Sequence, residues 1–223
     1  WWDPRGKFAP LHKFNPVRLR FIREQALARF RRRAQALVPF ENLSLLDIGC
    51  GGGLLAEPMA RLGFAVTGLD ASEKNIDIAR AHADREGLAL NYQVGTAESL
   101  AEAGKSFDVV LSMEVVEHVA DVKVYIGACA RLVKAGGIII TATLNRSFKS
   151  LLLAKFAAEY VLQWLPPGTH DWRRFQTPPE LQNELKEAGL SILETQGIAF
   201  DVFTWDWRLS KDVGVNYMVV AER

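Results

Sequence analysis

Residues 45–53 read Leu-Leu-Asp-Ile-Gly-Cys-Gly-Gly-Gly, a run of bulky apolar residues that passes directly into a turn of small ones. The apolar part suits a strand covered on both faces, and the glycines leave the backbone bare enough for a ligand to approach closely. A second apolar run, 64–69, ends on Asp70. That carboxylate lies about twenty residues after the loop, where it can accept hydrogen bonds from ribose hydroxyls. Strand, glycine loop, helix and strand in this order commit the chain to a parallel sheet with a nucleotide-type site at the carboxyl ends of its strands.

The spacing of the glycines bears on the ligand. Gly49, Gly51 and Gly53 are spaced Gly-x-Gly-x-Gly, and Leu54 stands where a dinucleotide fingerprint needs its third glycine. That disfavours NAD. Asp47, just before the first glycine, would repel a pyrophosphate but suits a ligand with a cationic ammonium and sulfonium. The expected cofactor is S-adenosylmethionine (SAM).

The chain has 223 residues, enough for one core of ordinary size. One domain is expected over 1–223, with 1–40 as an N-terminal helical cap and 146–176 as an apolar helical insertion near the site. Lys plus Arg number 27 against Asp plus Glu 26, so no broad positive field points to a nucleic-acid partner. The densest basic run, Arg29, Arg31, Arg32 and Arg33, reads as the solvated side of a helix. Cys50 and Cys129 are the two cysteines, too few for a disulfide framework, which points to a reducing compartment. No signal peptide is visible, and any residues upstream of Trp1 could carry a targeting sequence.

The spacing predicts a helix from Asn15-Pro16 to about Val38, then strands and helices in alternation. Strands are expected at 43–48, 65–69, 89–94, 107–112 and 137–143, and helices at 54–62, 73–86 and 122–132. The C-terminal third differs in character. Thr177-Pro178-Pro179-Glu180 starts a helix that Gly189 ends, and strands 190–198 and 215–221 flank a loop and close the sheet as an antiparallel hairpin. The fold class is α/β: a doubly wound, mostly parallel sheet, Rossmann-like, with an N-terminal helix and a C-terminal hairpin.

Nine short segments carry a family resemblance. They are Trp1-Trp2-Asp3, Pro10-Leu11-His12, Asn15-Pro16-Val17-Arg18-Leu19, the 45–53 loop, Thr67-Gly68-Leu69-Asp70, Met113-Glu114-Val115-Val116-Glu117-His118, Thr143-Leu144-Asn145-Arg146, Gly168-Thr169-His170-Asp171 and Val215-Asn216-Tyr217-Met218. With these the chain resembles the ubiquinone-biosynthesis O-methyltransferases, SAM-dependent enzymes of class I methyltransferase fold, nearly end to end. The resemblance implies cofactor contacts from Arg18, Gly49, Asp70 and Met113. Each also has a plain physical reading. Arg18 can clamp the methionine carboxylate in a bidentate pair or be a surface arginine. Met113 can lie beside an adenine ring or fill core. Glu98 suits either an adenine contact or a helix start.

Methyl transfer to a phenol needs the hydroxyl ionised and held in line with the methyl carbon. A free phenol titrates near 10, so at neutral pH roughly one molecule in a thousand is phenolate, and a base, a metal ion or both must act. Glu114, Glu117 and His118 are the catalytic candidates. Their offsets of i, i+3 and i+4 would put two carboxylates and an imidazole on one face of a helical turn. From the residues alone, the set suits either a divalent cation or a metal-free Glu-His pair. The resemblance implies the cation, of Mg²⁺ type, bound to adjacent catechol oxygens. His170-Asp171 is a second candidate for base work.

Residues 148–165 are apolar nearly all round, with Lys149, Lys155 and Glu159 as their charges. The run is barely long enough to span a bilayer and carries three charges, so it suits a lid helix, contact with a membrane surface or a greasy entrance for a polyprenyl tail. The lipid-tailed substrate implied by the resemblance favours the membrane. The resemblance further implies both O-methylations of the pathway, on 2-polyprenyl-6-hydroxyphenol and on 3-demethylubiquinol, a ubiquinone-biosynthesis complex as partner, and a cytoplasmic or matrix-side location peripheral to the inner membrane. A methyltransferase of this fold with another phenolic or lipid acceptor, and a non-catalytic lipid-binding subunit, are the alternatives. Turnover of one polyprenyl catechol separates them.

Overall fold

The apolar runs form the middle of one sheet, where Leu45, Leu46, Val109, Val110, Ile139 and Ile140 are fully buried. The computed structural model describes residues 1–6, 8–150, 172–201 and 203–223. Its parallel strands are β1 (Ser44–Ile48), β2 (Ala65–Asp70), β3 (Asn91–Val94), β4 (Phe107–Met113) and β5 (Val133–Leu144). They are followed by β6 (Ser191–Asp201), β7 (Asp206–Ser210) and β8 (Asn216–Glu222). Along the sheet the order is β3-β2-β1-β4-β5-β8-β6-β7. β8 lies antiparallel between β5 and β6, as the expected C-terminal closure requires. Strand order reverses between β1 and β4, which pair in parallel from Leu45 with Val109 to Ile48 with Ser112. A crevice at their carboxyl ends is where such a sheet takes its ligand.

Alternate residues of each strand feed two cores. On one face Leu45, Leu111, Ile140 and Val220 pack under α1 (Ala9–Arg29), α2 (Ala56–Arg61) and α3 (Glu73–Arg85). On the other, Leu46, Val110, Ile139 and Val219 pack under α4 (Ala97–Glu102), α5 (Val122–Leu132) and α6 (Pro178–Glu187). Each fully buried Leu, Ile or Val contributes about 1.5–3 kcal/mol, so the central strands hold the crevice on a stiff platform.

Three elements depart from the sequence expectation. The first helix begins at Ala9 and not at Asn15, because Pro10 serves its first turn and Pro16 is accepted inside it at a solvent-exposed position. It ends at Arg29 and not near Val38. After Phe30 the chain has no large apolar residue to bury until Leu37, which is itself 92% exposed. Arg31 adopts a left-handed φ of 49°, so Arg31, Arg32 and Arg33 form an exposed turn and not a helix face. β7, five residues long, lies where a loop is expected between 198 and 215, and α4, six residues long, is anticipated only as a helix start at Glu98; both are too short to show a period.

Candidate active site

The glycine loop leaves β1 through a reversal that L side chains resist. Gly49, Gly51 and Gly53 have φ of 70°, 54° and 89°. A Cβ on Gly49 would stand 2.5 Å from Val115 Cγ2, and one on Gly53 2.2 Å from the Tyr92 hydroxyl. The loop is tied to the next strand, since the Gly49 and Cys50 amides both donate to the Leu69 carbonyl, at 2.7 and 3.0 Å. Asp70, at the end of β2, braces it from the other side. Its carboxylate accepts from the Gly51 amide at 2.9 Å, the Ser72 amide at 2.8 Å and Asn75 Nδ2 at 3.3 Å. A carboxylate has about four acceptor sites, so Asp70 can hold the loop and still receive a ribose hydroxyl.

Below the loop lies Asp47, 2% exposed, with Oδ2 lacking a hydrogen-bond partner among the described residues. Burial, with the Asp70 charge adding to it, pushes its carboxyl up to about 7; Arg18 pulls the other way. A neutral carboxyl of this kind becomes a carboxylate when a cation arrives.

Arg18 comes from α1 and is 3% exposed. Its guanidinium sits 3.9 Å from the centroid of the Phe14 ring and pairs through Nη2 with Glu114 Oε1. Burial lowers its pKa, while Glu114, Glu117 and Asp47 raise it. Glu114 follows β4 directly and has φ of 57°, a left-handed conformation that bulky residues rarely hold and that marks functional sites. Its amide donates to the Ala142 carbonyl at 2.9 Å, and Oε1 also accepts from Asn216 Nδ2 at 3.3 Å. Met113, the last residue of β4, is buried and pairs with Ala142 in the sheet.

Glu117 is 3% exposed; Oε2 accepts from the Thr143 hydroxyl at 3.0 Å and Oε1 has no partner among the described residues. Burial first, and the nearby Glu114 second, push its carboxyl up to about 8. His118 is exposed. The one-face expectation for Glu114, Glu117 and His118 does not hold, because Glu114 takes its left-handed turn before a 3-10 turn over Val116–His118 and the α-helical offsets are lost. The two glutamates are brought together, and His118 stands exposed at the end of the 3-10 turn. Among the described residues no group of three or more His, Cys, Asp or Glu side chains is arranged to hold a metal ion. His170, Asp171 and residues 151–165 lie outside the described residues.

Sequence reasoning overlooked Asn216, Thr143, Phe14 and Asn75 as members of the site. A signal was present for the first two, which stand where β8 begins and where β5 nears its end at the rim of the crevice.

Comparison with known proteins accounts for the combination. The family profile described as a methyltransferase domain matches residues 46–141. The ubiquinone biosynthesis O-methyltransferase of Caulobacter vibrioides is 58% identical over 224 residues, covering 100% of this chain and 89% of that protein. That of Sinorhizobium medicae is 56% identical, covering 100% and 90%. Among solved structures, a SAM-dependent methyltransferase from Clostridium acetobutylicum has a TM-score of 0.64 at 14% identity, over 92% of this chain and 89% of that one. The magnesium protoporphyrin IX methyltransferase of Synechocystis with bound S-adenosylhomocysteine has a TM-score of 0.60 at 23% identity, over 82% and 75%. The solved structures share the fold, and the relatives match along the whole of this chain: it belongs to the ubiquinone biosynthesis O-methyltransferase family and is a SAM-dependent O-methyltransferase of class I fold.

Proposed function

We propose that the chain methylates ring hydroxyls of polyprenyl catechol-type intermediates in both O-methylation steps, on 2-polyprenyl-6-hydroxyphenol and on 3-demethylubiquinol. The observation that carries the proposal is the convergence of the cofactor loop with a charged cluster of Arg18, Glu114 and Glu117 at the switch point of the sheet. Gly49, Asp70 and Met113 would border the donor, with Arg18 offering its guanidinium to the methionine carboxylate. A ring oxygen attacks the methyl carbon, the carbon–sulfur bond breaks with its electrons on sulfur, and S-adenosylhomocysteine leaves. The hydroxyl proton passes to a carboxylate. Glu117 suits that role, because a base with pKa near 8 is better matched to a phenol than an ordinary glutamate, and the sulfonium charge of bound SAM favours its ionised form.

The family resemblance also implies a divalent cation of Mg²⁺ type. Glu114 and Glu117 would offer it hard oxygen donors, one with a buried oxygen that has no partner among the described residues, and the exposed His118 would be the third ligand. Such an ion supplies a lowered pKa for the bound hydroxyl.

An isoprenoid tail also calls for contact with a membrane surface, and a location peripheral to the inner membrane is part of the proposal. No helix among the described residues is long and apolar enough to cross a membrane. Support comes from Phe148 (73% exposed), Phe203 (96%) and Trp205 (65%). Phe148 follows the carboxyl end of β5, and the other two lie in the β6–β7 turn at the same end of the sheet. The test is mass-spectrometric detection of a methylated polyprenyl catechol, made with and without chelator. The expected result is product that vanishes with chelator while SAM still binds; turnover of soluble phenols only would overturn the substrate assignment.

A further inference from the structure

Two tryptophans at the start of the sequence lie on the cofactor loop, outside both apolar cores. The Trp1 indole stacks on Phe8 with centroids 3.8 Å apart and planes 5° from parallel. Its ring covers the glycine loop: a Cβ on Gly51 would stand 2.6 Å from Trp1 Cη2, and one on Gly52 2.3 Å from Trp1 Cγ. Its Nε1 donates to Asn75 Oδ1 at 3.2 Å. Trp2 donates through Nε1 to the Gly52 carbonyl at 2.8 Å and stacks at 3.7 Å on His82, which is bonded at 2.8 Å to the buried Glu57.

Asn75 links this clasp to the cofactor site. While its carbonyl oxygen receives Trp1, its Nδ2 donates to Asp70 Oδ1, and Asp70 Oδ2 in turn receives the Gly51 amide on which Trp1 rests. Trp1, Asn75, Asp70 and Gly51 therefore form a closed circuit around the proposed ribose-binding carboxylate. A loop with three left-handed glycines has many conformations open to it. Fixing it before the ligand arrives removes an ordering cost from binding.

We propose that Trp1 and Asn75 are positioning residues for the S-adenosyl ligand: they hold Asp70 and the glycine loop in the binding geometry, and the clasp sets how fast the demethylated product leaves. Neither residue is required to touch the ligand. The inference rests on Asp70 as the ribose acceptor, which calorimetry on Asp70→Ala tests separately.

The experiment compares the full chain with Trp1→Phe, Asn75→Ala and the double variant. Release of radiolabelled S-adenosylhomocysteine is followed in a chase, with KM for SAM and for the acceptor, and Tm, measured alongside. Trp1→Phe loses the indole N–H and the far edge of the ring over Gly51 while keeping an aromatic ring at the position, so it is read together with Asn75→Ala, which removes the same bond and leaves the indole in place. We expect each single variant to speed release and raise KM for SAM by about threefold to tenfold, the range of one lost hydrogen bond, with acceptor KM unchanged. The double variant should be no worse than Asn75→Ala, because both remove one shared interaction. Trp1→Ala, which also removes the cover over Gly51 and Gly52, should release faster than Trp1→Phe. A lowered Tm with unchanged release and unchanged KM for SAM would overturn the proposal, as would strictly additive effects in the double variant.

Discussion

Arg18 and Glu114 are separated by 96 positions in the chain and joined at the mouth of the crevice by a largely buried ion pair, its side chains 4% and 25% exposed. The pair ties α1 to the carboxyl end of β4 and places a guanidinium between the cofactor loop and the acid cluster. It also offsets the Glu114 charge, and Glu117 and Asp47 lie close enough to favour the guanidinium when they ionise. A buried pair of this kind matters less for its own attraction than for the uncompensated charge left when one partner is removed.

Arg18→Met should therefore lower stability by about 3 kcal/mol and weaken SAM binding. Adding Glu114→Gln to it should restore part of the stability, since the stranded carboxylate is gone, without restoring binding. Urea titration of the two variants reads the first effect and calorimetry the second; equal stability of single and double variants would contradict the account.

Asp70→Ala should weaken SAM by one to two orders of magnitude, about 1.4 kcal/mol for each factor of ten. The loss combines ribose hydrogen bonds with slackening of the Gly51 and Ser72 amides and of Asn75. Isothermal calorimetry checks it, and an unchanged dissociation constant, or binding of NAD in preference to SAM, would remove Asp70 from the cofactor site.

The raised carboxyls of Asp47 and Glu117 have a definite pH signature. Each has a folded-state pKa above its unfolded value, so its contribution to stability is fully present below about pH 4, and it is lost as pH rises towards about 7 for Asp47 and about 8 for Glu117. Unliganded protein should lose stability between pH 5 and 8 by an amount that Asp47→Asn visibly reduces. SAM binding should move the opposite way, tightening as pH rises through about 7 and releasing protons, because its cation favours ionised Asp47. Urea midpoints at two pH values and calorimetry in buffers of different ionisation enthalpy check both signs.

Phe203→Ser together with Trp205→Asn should reduce co-sedimentation with lipid vesicles and slow turnover of long-tailed catechols, while sparing short-tailed analogues. Asn tolerates the left-handed φ of 56° at position 205, so the turn should survive. Removing two large aromatic side chains from a bilayer interface forgoes a few kcal/mol. Equal loss on both substrates would assign the hairpin to folding.

What the chain determined by itself lay in short stretches. The apolar strands, the glycine loop, Asp70 at the end of β2 and the C-terminal antiparallel closure were legible because alternation, glycine spacing and burial on both faces are written in neighbouring residues. Helix ends were less so: Pro16 looked like a start and the arginine run like a continuation, although the lack of a large apolar residue between Phe30 and Leu37 stood in the sequence to be read. Glu114, Glu117 and His118 were identifiable as a group, yet their orientation was not, because one left-handed residue at Glu114 cancels the helical offsets. Only the tertiary structure brought Trp1 onto Gly51, Arg18 onto Glu114, Thr143 onto Glu117 and Asn216 into the acid cluster. These are contacts between residues far apart in the chain, decided by how the cores stack α1, β5 and β8 around β4. Burial in that stack, which no local pattern encodes, is also what raises Asp47 and Glu117 into the range where they can exchange protons near neutral pH.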